Sequence, residues 1–333
     1  MNRTFRTILF PLIRLRRWFL MRREIHQIFA YDKKRYLLHS GAMGQSSEYV
    51  LLERIIMGYH VIEKGLTMPG RRLGFGRDAI LSLIDAVEEY ESKYGTNSGQ
   101  VVHAGSCVKE YLDLHEENHY DKSGDVTFWD AVEKFCKGRI IDHAQRVECE
   151  KKTFFKDISG PFDVFAASRH TVRYFCGKIP SDAMEKVVSL AMTAPSACNR
   201  QYVRVHCVDN PSLRDRILSL QNGNRGFGST ADKLLVITSD LQGLRWHAER
   251  NDIYLNAGIF VQNLCYALHF YGFASCILNW SVSPRFDMSV RGLLDVKDSE
   301  TIVALVACGD MPDKISVAAS PRKQLSEVLV WHK

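Results

Sequence analysis

Apolar positions recur three and four residues apart through the first half of the chain. Past residue 200 they give way to short, continuous apolar runs. That change of period predicts helices first and an alternating helix–strand region afterwards. In the first half, Leu52, Ile55, Ile56, Tyr59 and Ile62 share one helical face, with Ser46 or Ser47 as the cap and Gly65 as a left-handed stop. A second helix is predicted from about Arg77 to Lys93, with Ile80, Leu83, Ile84 and Val87 inward and Gly95 at its end. A third opens at Thr127, whose side chain caps it while Asp130 reaches back. It buries Trp129, Val132 and Phe135 and closes at Gly138. No strand pattern intervenes, so residues 41–159 read as an all-α region of helical hairpins.

The texture changes near Gly160. A helix follows Pro180–Ser181, with Met184, Val187, Val188 and Ala191 on its inner face. Strands are predicted at 202–208, 233–239, 274–279 and 301–308, and helices separate them. The pattern from Arg250 to Tyr271 is apolar nearly all round, as in a central buried helix that Gly272 ends. TIVALVAC (301–308) is continuous enough for a strand covered on both faces.

Composition narrows the class. The 333 residues are 46% hydrophobic and 25% charged, which excludes a mainly disordered chain, a collagen-like repeat and a disulfide-dense mini-protein. No stretch approaches the ~18 uncharged apolar residues of a membrane-spanning helix. The net charge of +6 is unevenly placed. Residues 1–40 carry ten basic side chains against Glu24 and Asp32. This arm has two readings. It can lie as an amphipathic basic segment on an anionic membrane surface, with Trp18, Phe19 and Leu20 dipping in. Or it can dock on its own protein with a solvated basic face. Its apolar run, Ile8 to Ile13, is short, contains Pro11 and is followed by arginines in place of a small-residue cleavage site, so it does not read as a signal peptide. No nucleic-acid-binding module continues the basic character. The nine cysteines include no CxxC pair. They read as small core residues of a reduced, cytoplasmic protein, and no metal site is expected.

One local motif stands apart. In HVIEKGL, His60, Glu63 and Lys64 share a helix face. That spacing can build an acid–base site. The plainer reading is a helix C-terminus, with Lys64 facing the dipole and Gly65 ending the turn. Gly70, Gly74 and Gly76 do not form a dinucleotide fingerprint, because no strand precedes them. Arg71, Arg72 and Arg77 are candidates for an anion pocket near a helix start.

Four segments then fall in a telling order: SRHTVRYF (168–175), APSACNRQ (194–201), the helix AGIFVQNLCYALHFYGF, and GDMPD with SPRKQLSEVL near the C-terminus. Over about residues 165–333 the chain resembles the nitroreductase family of FMN-dependent enzymes. The resemblance implies an α+β fold, a mixed sheet flanked by helices, occupying 160–333 after the arm (1–40) and the helical region (41–159). It also implies FMN as cofactor, NAD(P)H as cosubstrate, a small-molecule electron acceptor and a homodimer with flavins at the interface. Arg169 and Thr171 would take the FMN phosphate, with His170 beside them and Arg322 as a second phosphate ligand. Arg173 would stand near the flavin N1/O2 edge, where negative charge gathers on reduction. Pro195, Ser196, Ala197 and Asn199 match the loop that lies against the isoalloxazine ring, often supplied by the partner subunit. The backbone amides of Asn279 and Trp280 fall where the family approaches flavin N5. Asn222, Asn224 and Arg225 are further candidates for the pocket wall.

Two departures bear on function. Where the family often has a basic residue two positions before Arg322, this chain has Ser320. The long N-terminal part resembles a subgroup associated with bacterial surface-polysaccharide genes, which implies a dedicated metabolic substrate. Two other readings remain open. One is a flavin-dependent dehydrogenase or dehalogenase on the same scaffold. The other is a dimeric platform that has lost its cofactor.

Overall fold

A computed structural model describes residues 3–43, 47–96, 98–139, 141 and 146–332, with side chains from residue 13 onward. The chain begins with one long helix, α1 (Arg3–His39), and Pro11 does not interrupt it. Four helices follow: α2 (Glu48–Leu66), α3 (Arg77–Tyr94), α4 (Gly99–Glu117) and α5 (Val126–Cys136). They bury Ile55, Ile62, Val87, Val108, Tyr111 and Trp129 in a core of their own. Ser47 caps α2 by accepting the Val50 N–H; Ser46 lies outside the described residues.

Three local readings need correction here. Gly65 does not stop α2, which runs on to Leu66 with Thr67 as its C-cap. Gly65 is instead a packing residue, because a Cβ there would sit inside the Phe75 ring. The α5 cap is Asp125, whose carboxylate accepts the Phe128 N–H at 3.3 Å, not Thr127. Helix α4 went unread, because Gln100, His103, Gly105, Ser106 and His115 occupy core positions that an apolar pattern should fill.

The second half begins earlier than its texture suggests. Strand β1 (Arg146–Glu150) pairs antiparallel with β6 (Lys314–Ala318), making a two-stranded sheet across most of the chain. Neither strand shows in the apolar pattern. Short helices α6 (Lys151–Phe154) and α7 (Phe162–Ser168) lead into α8 (Ser181–Ala191), β2 (Val203–Val208), α9 (Pro211–Leu218), β3 (Lys233–Asp240), α10 (Asp252–Phe270), β4 (Ala274–Asn279), α11 (Pro284–Leu294) and β5 (Glu300–Gly309). After β6, α12 (Leu325–Val328) lies near the C-terminus. The helix–strand alternation from α8 to β5 is the one the sequence predicts.

The main sheet has the order β2-β3-β5-β4, and each of its pairings is antiparallel. Its two central strands carry unbroken apolar runs because both faces are covered. Leu234 and Val236 of β3 enter the core that holds Phe175, Phe227 and Leu305. Leu235 and Ile237, one position out of phase, enter the core formed with α8 and α10. Successive side chains of a strand point to opposite faces, so a fully buried strand loses its polar alternation. The fold is α+β, with helices flanking the sheet and an all-helical part before it.

Candidate functional site

The segment after α7 runs along the free edge of β4. The Val172 N–H donates to Ser275 O at 3.0 Å, and Cys176 N–H to Asp310 O at 3.0 Å. Around Val172 this extended backbone turns neighbouring side chains to opposite sides. Val172 is buried, while Arg169, His170, Thr171 and Arg173 line a cavity of about 740 Å³. Arg322 and Ser320 close it from the C-terminal segment, Gln262 and Tyr266 from α10, and His60 from α2. The volume is ordinary for a small-molecule site.

The charge in this cavity is one-sided. Among the described residues no aspartate or glutamate lines it, and Arg169, Arg173 and Arg322 form no ion pair. Arg322 Nη1 donates to Ser320 O at 3.0 Å, and Arg173 Nη2 donates to His60 Nε2 at 3.4 Å. Burial, and then the charges of Arg169 and Arg322, push the His170 pKa down. Three guanidinium groups without a carboxylate partner make a site for a multiply charged anion such as a phosphate.

Glu63 stands directly behind this wall. Its carboxylate is fully buried. Burial opposes its ionisation, but the hydrogen bond from His103, the nearby His60 imidazole and then the Ser320 N–H outweigh that and hold its pKa down at about 2. The His103 Nε2–H donates to Oε1 at 2.9 Å, the Ser320 N–H donates to the same oxygen at 3.1 Å, and His60 Nδ1 lies 3.9 Å from Oε2. Cys107 lies beside them, so Glu63, His103 and Cys107 bring ligand atoms within 4.8 Å of one another. These atoms serve each other: the Glu63 oxygens already have donors, and burial keeps the Cys107 thiol protonated by pushing its pKa well up.

Lys64 does not face its own helix end. Its Nζ donates to Gly223 O at 2.7 Å and lies 5.3 Å from the Phe227 ring centre. In the glycine-rich loop, the Gln221 Nε2–H donates to Asn279 O at 3.0 Å. The Asn224 amide donates to Leu218 O and Gln221 O, so it holds the loop. Asn222 and Arg225 line a separate depression.

The remaining predicted residues lie elsewhere. Pro195 and Ser196 line a smaller cavity of about 190 Å³ beside Asn256 and Phe260 of α10. Ala197 N–H donates to Asn256 Oδ1, and Asn199 adopts a φ of 54° and accepts from the Gln201 side chain. Within one chain this loop does not reach the arginine cavity. Asn279 and Trp280 sit at the end of β4, and Trp280 Nε1–H donates to Asp287 at 2.8 Å. Arg71 and Arg77 do not converge on one anion pocket: Arg77 pairs with Asp125 and Asp78, while Arg71 donates to Leu66 O and lines a different cavity with Arg173 and Lys314. Tyr266 was not singled out in the sequence, since its helix reads as continuous core.

A family model, Nitroreductase family, matches residues 166–224. No curated protein matches the chain. Among solved structures, the chain is similar to an FMN-dependent nitroreductase from Clostridium difficile, at 18% identity, 51% of this chain, 98% of that one and a TM-score of 0.42. It is also similar to a nitroreductase-like protein from Streptococcus mutans, at 18% identity, 51% and 97% coverage and a TM-score of 0.43. The matched segment contains Arg169 to Arg173 and the loop Pro195–Asn199.

Proposed function

We propose that this protein is an FMN-dependent oxidoreductase that takes reducing equivalents from NAD(P)H and passes them to a small organic acceptor in ping-pong fashion. The observation that carries the reading is the cavity in which Arg169, Arg173 and Arg322 converge with no carboxylate among the described lining residues. Its donor set suits a phosphate dianion, and its volume suits a flavin mononucleotide. When bound, FMN supplies two-electron hydride chemistry. The chain's own residues hold and orient it. Arg169, Thr171 and Arg322 bind the phosphate, with His170 beside them. Arg173 places a fixed positive charge at the N1/O2 edge, which favours the reduced state. The backbone amides of Asn279 and Trp280 would approach N5.

The position of Pro195–Asn199 supports a homodimer: the loop has its own place along α10, where a second copy could receive it. Nine free thiols suit a reducing cytoplasm. Among the described residues no helix is long and apolar enough to cross a membrane. Exposed Trp18, Phe19 and Leu20 on basic α1 support peripheral contact with an anionic bilayer. The link to surface-polysaccharide metabolism rests on the resemblance of the N-terminal part, and it predicts one preferred acceptor in place of broad nitroaromatic reduction.

The test is the visible absorption spectrum of the purified protein, recorded with FMN and then with NAD(P)H. The reading expects a bound flavin band that bleaches with reductant and returns with acceptor. A folded protein that binds no FMN would overturn it.

A further inference from the structure

One turn of α2, His60 to Lys64, touches three separate parts of the candidate cofactor site. His60 accepts from Arg173, Glu63 accepts from Ser320 in the segment that carries Arg322, and Lys64 donates to Gly223 in the loop whose Gln221 holds Asn279. The resemblance assigns nothing to this turn, which lies outside the matched family segment.

We propose that Glu63 is a positioning residue for the phosphate-binding end of the cofactor site, so that the helical region is a working part of that site. The inference rests on the flavin reading above. Its physical basis is the cost of an unpaired buried carboxylate. Glu63 is wholly buried, so its bonds to His103 and Ser320 are strongly held. His103 belongs to α4, which fixes the carboxylate in the helical core. Ser320 has a φ of 45°, a left-handed conformation that disfavours a side-chain-bearing residue. The Glu63 bond is made to the N–H of that residue. The same turn lets Ser320 O accept from Arg322 Nη1, which sets the guanidinium at the cavity wall. On the opposite side, His60 lies between Glu63 and Arg173. One buried charge therefore restrains cations on both sides of the cavity. A phosphate that meets preplaced cations avoids the entropy of ordering them.

This also accounts for Ser320. The family's more usual basic residue would add a cation there. This chain uses the position as a donor to Glu63 instead, and supplies order where the family supplies charge.

The experiment compares FMN with riboflavin, which lacks the phosphate, by flavin fluorescence titration of the full-length protein. Glu63→Gln is the primary variant because it keeps the side chain's size. It removes the charge that both donors meet at Oε1 and puts an amide NH2 where Oε2 faces His60 and the Ser320 hydroxyl. His60→Ala, with its side chain 46% exposed in the parent, probes the Arg173 side without touching the core. Urea unfolding confirms that each variant is folded at the assay temperature. Glu63→Gln should bind FMN about tenfold more weakly, the scale of one charge-assisted hydrogen bond, with riboflavin affinity unchanged. Equal FMN affinity in parent and variant would overturn the inference and leave the flavin reading standing. So would an equal loss for both ligands, which marks a merely structural role. A folded parent that binds no FMN would remove the flavin reading, and the inference with it.

Hydrogen exchange on the parent protein gives a second readout that needs no variant. Phosphate binding that works through Glu63 must slow exchange at residues 60–64 and 318–322 when FMN is added. Unchanged exchange at 60–64 in a protein that binds FMN would count against Glu63.

Discussion

Asp32 of α1 and Arg250, just before α10, form a two-pronged ion pair, with Nε to Oδ2 at 2.5 Å and Nη2 to Oδ1 at 2.8 Å. A neighbouring pair joins Glu24 to His247 at 3.2 Å. The only two acidic residues of the arm are thus both spent on the rest of the chain. Its arginines and lysines from Arg14 onward remain largely exposed.

The first prediction concerns this latch. Arg250→Ala should free α1 without unfolding the protein, because the pair sits at the surface and such pairs contribute little to global stability. Limited proteolysis should cut residues 13–39 faster in the variant. The urea midpoint should stay near that of the parent. Equal cleavage of the two proteins would mean that apolar contacts of Met21, Ile25 and Phe29 hold the helix instead.

The arm's outward face makes a separate prediction. Removing residues 1–40 should abolish binding to vesicles containing anionic lipid, and raising the salt should weaken binding by the intact protein. Equal sedimentation of both proteins with vesicles would exclude the arm as the membrane contact.

Arg169→Ala and Arg322→Ala should each weaken FMN binding by roughly tenfold or more, since each removes a charge-assisted partner of the phosphate. Riboflavin binding should change far less. Fluorescence titration separates these outcomes, and unchanged FMN affinity in either variant would remove that arginine from the phosphate site.

Acid should destabilise the fold in two stages. Burial, followed by the charges of Arg169 and His170, lowers the His269 pKa from 6.5 to about 4. As pH falls through that window the unfolded chain gains a proton that the folded chain refuses, so stability is lost by roughly 3 kcal/mol. Glu63 acts lower. Its pKa is about 2 folded against 4.5 unfolded, so its contribution is present above 4.5 and lost as pH falls from there. Urea midpoints across the first window should fall in the parent protein. His269→Asn should flatten that slope; an unchanged slope would place the titration elsewhere.

Gly65→Ala should cost about 1–3 kcal/mol by overpacking, because the added methyl must displace the Phe75 ring. Calorimetry would show it as a lower Tm. An unshifted Tm would mean that the ring moves freely aside.

The sequence made the α8-to-β5 rhythm legible because β3 and β5 are buried on both faces and leave unbroken apolar runs. It hid α4 because Gln100, His103, Ser106 and His115 are buried there by pairing, which hydropathy does not register. It hid β1 because RVECE carries charges at three of five positions and finds its partner strand 168 residues away, where Glu148 meets Ser316. Arg169, His170, Thr171, Arg173 and Arg322 were readable as a set, and the structure places them around one cavity. Glu63 was visible beside His60 and Lys64, but its decisive partners lie 40 and 257 residues further along. Helical spacing reports only neighbours on the same turn.

The pairing of β1 with β6 has a consequence for how the protein is made. Helices α2 to α5 bury their core among residues 51–136, all of which leave the ribosome early. Strand β1 follows them and must wait until residues 314–318 have been synthesised before it has anything to pair with. The Ser320–Arg322 segment emerges only a few residues later. The arginine-lined cavity is therefore among the last features of the nascent chain to exist, and a polypeptide released before residue 314 would carry a helical core, an unpaired β1 and no completed cavity.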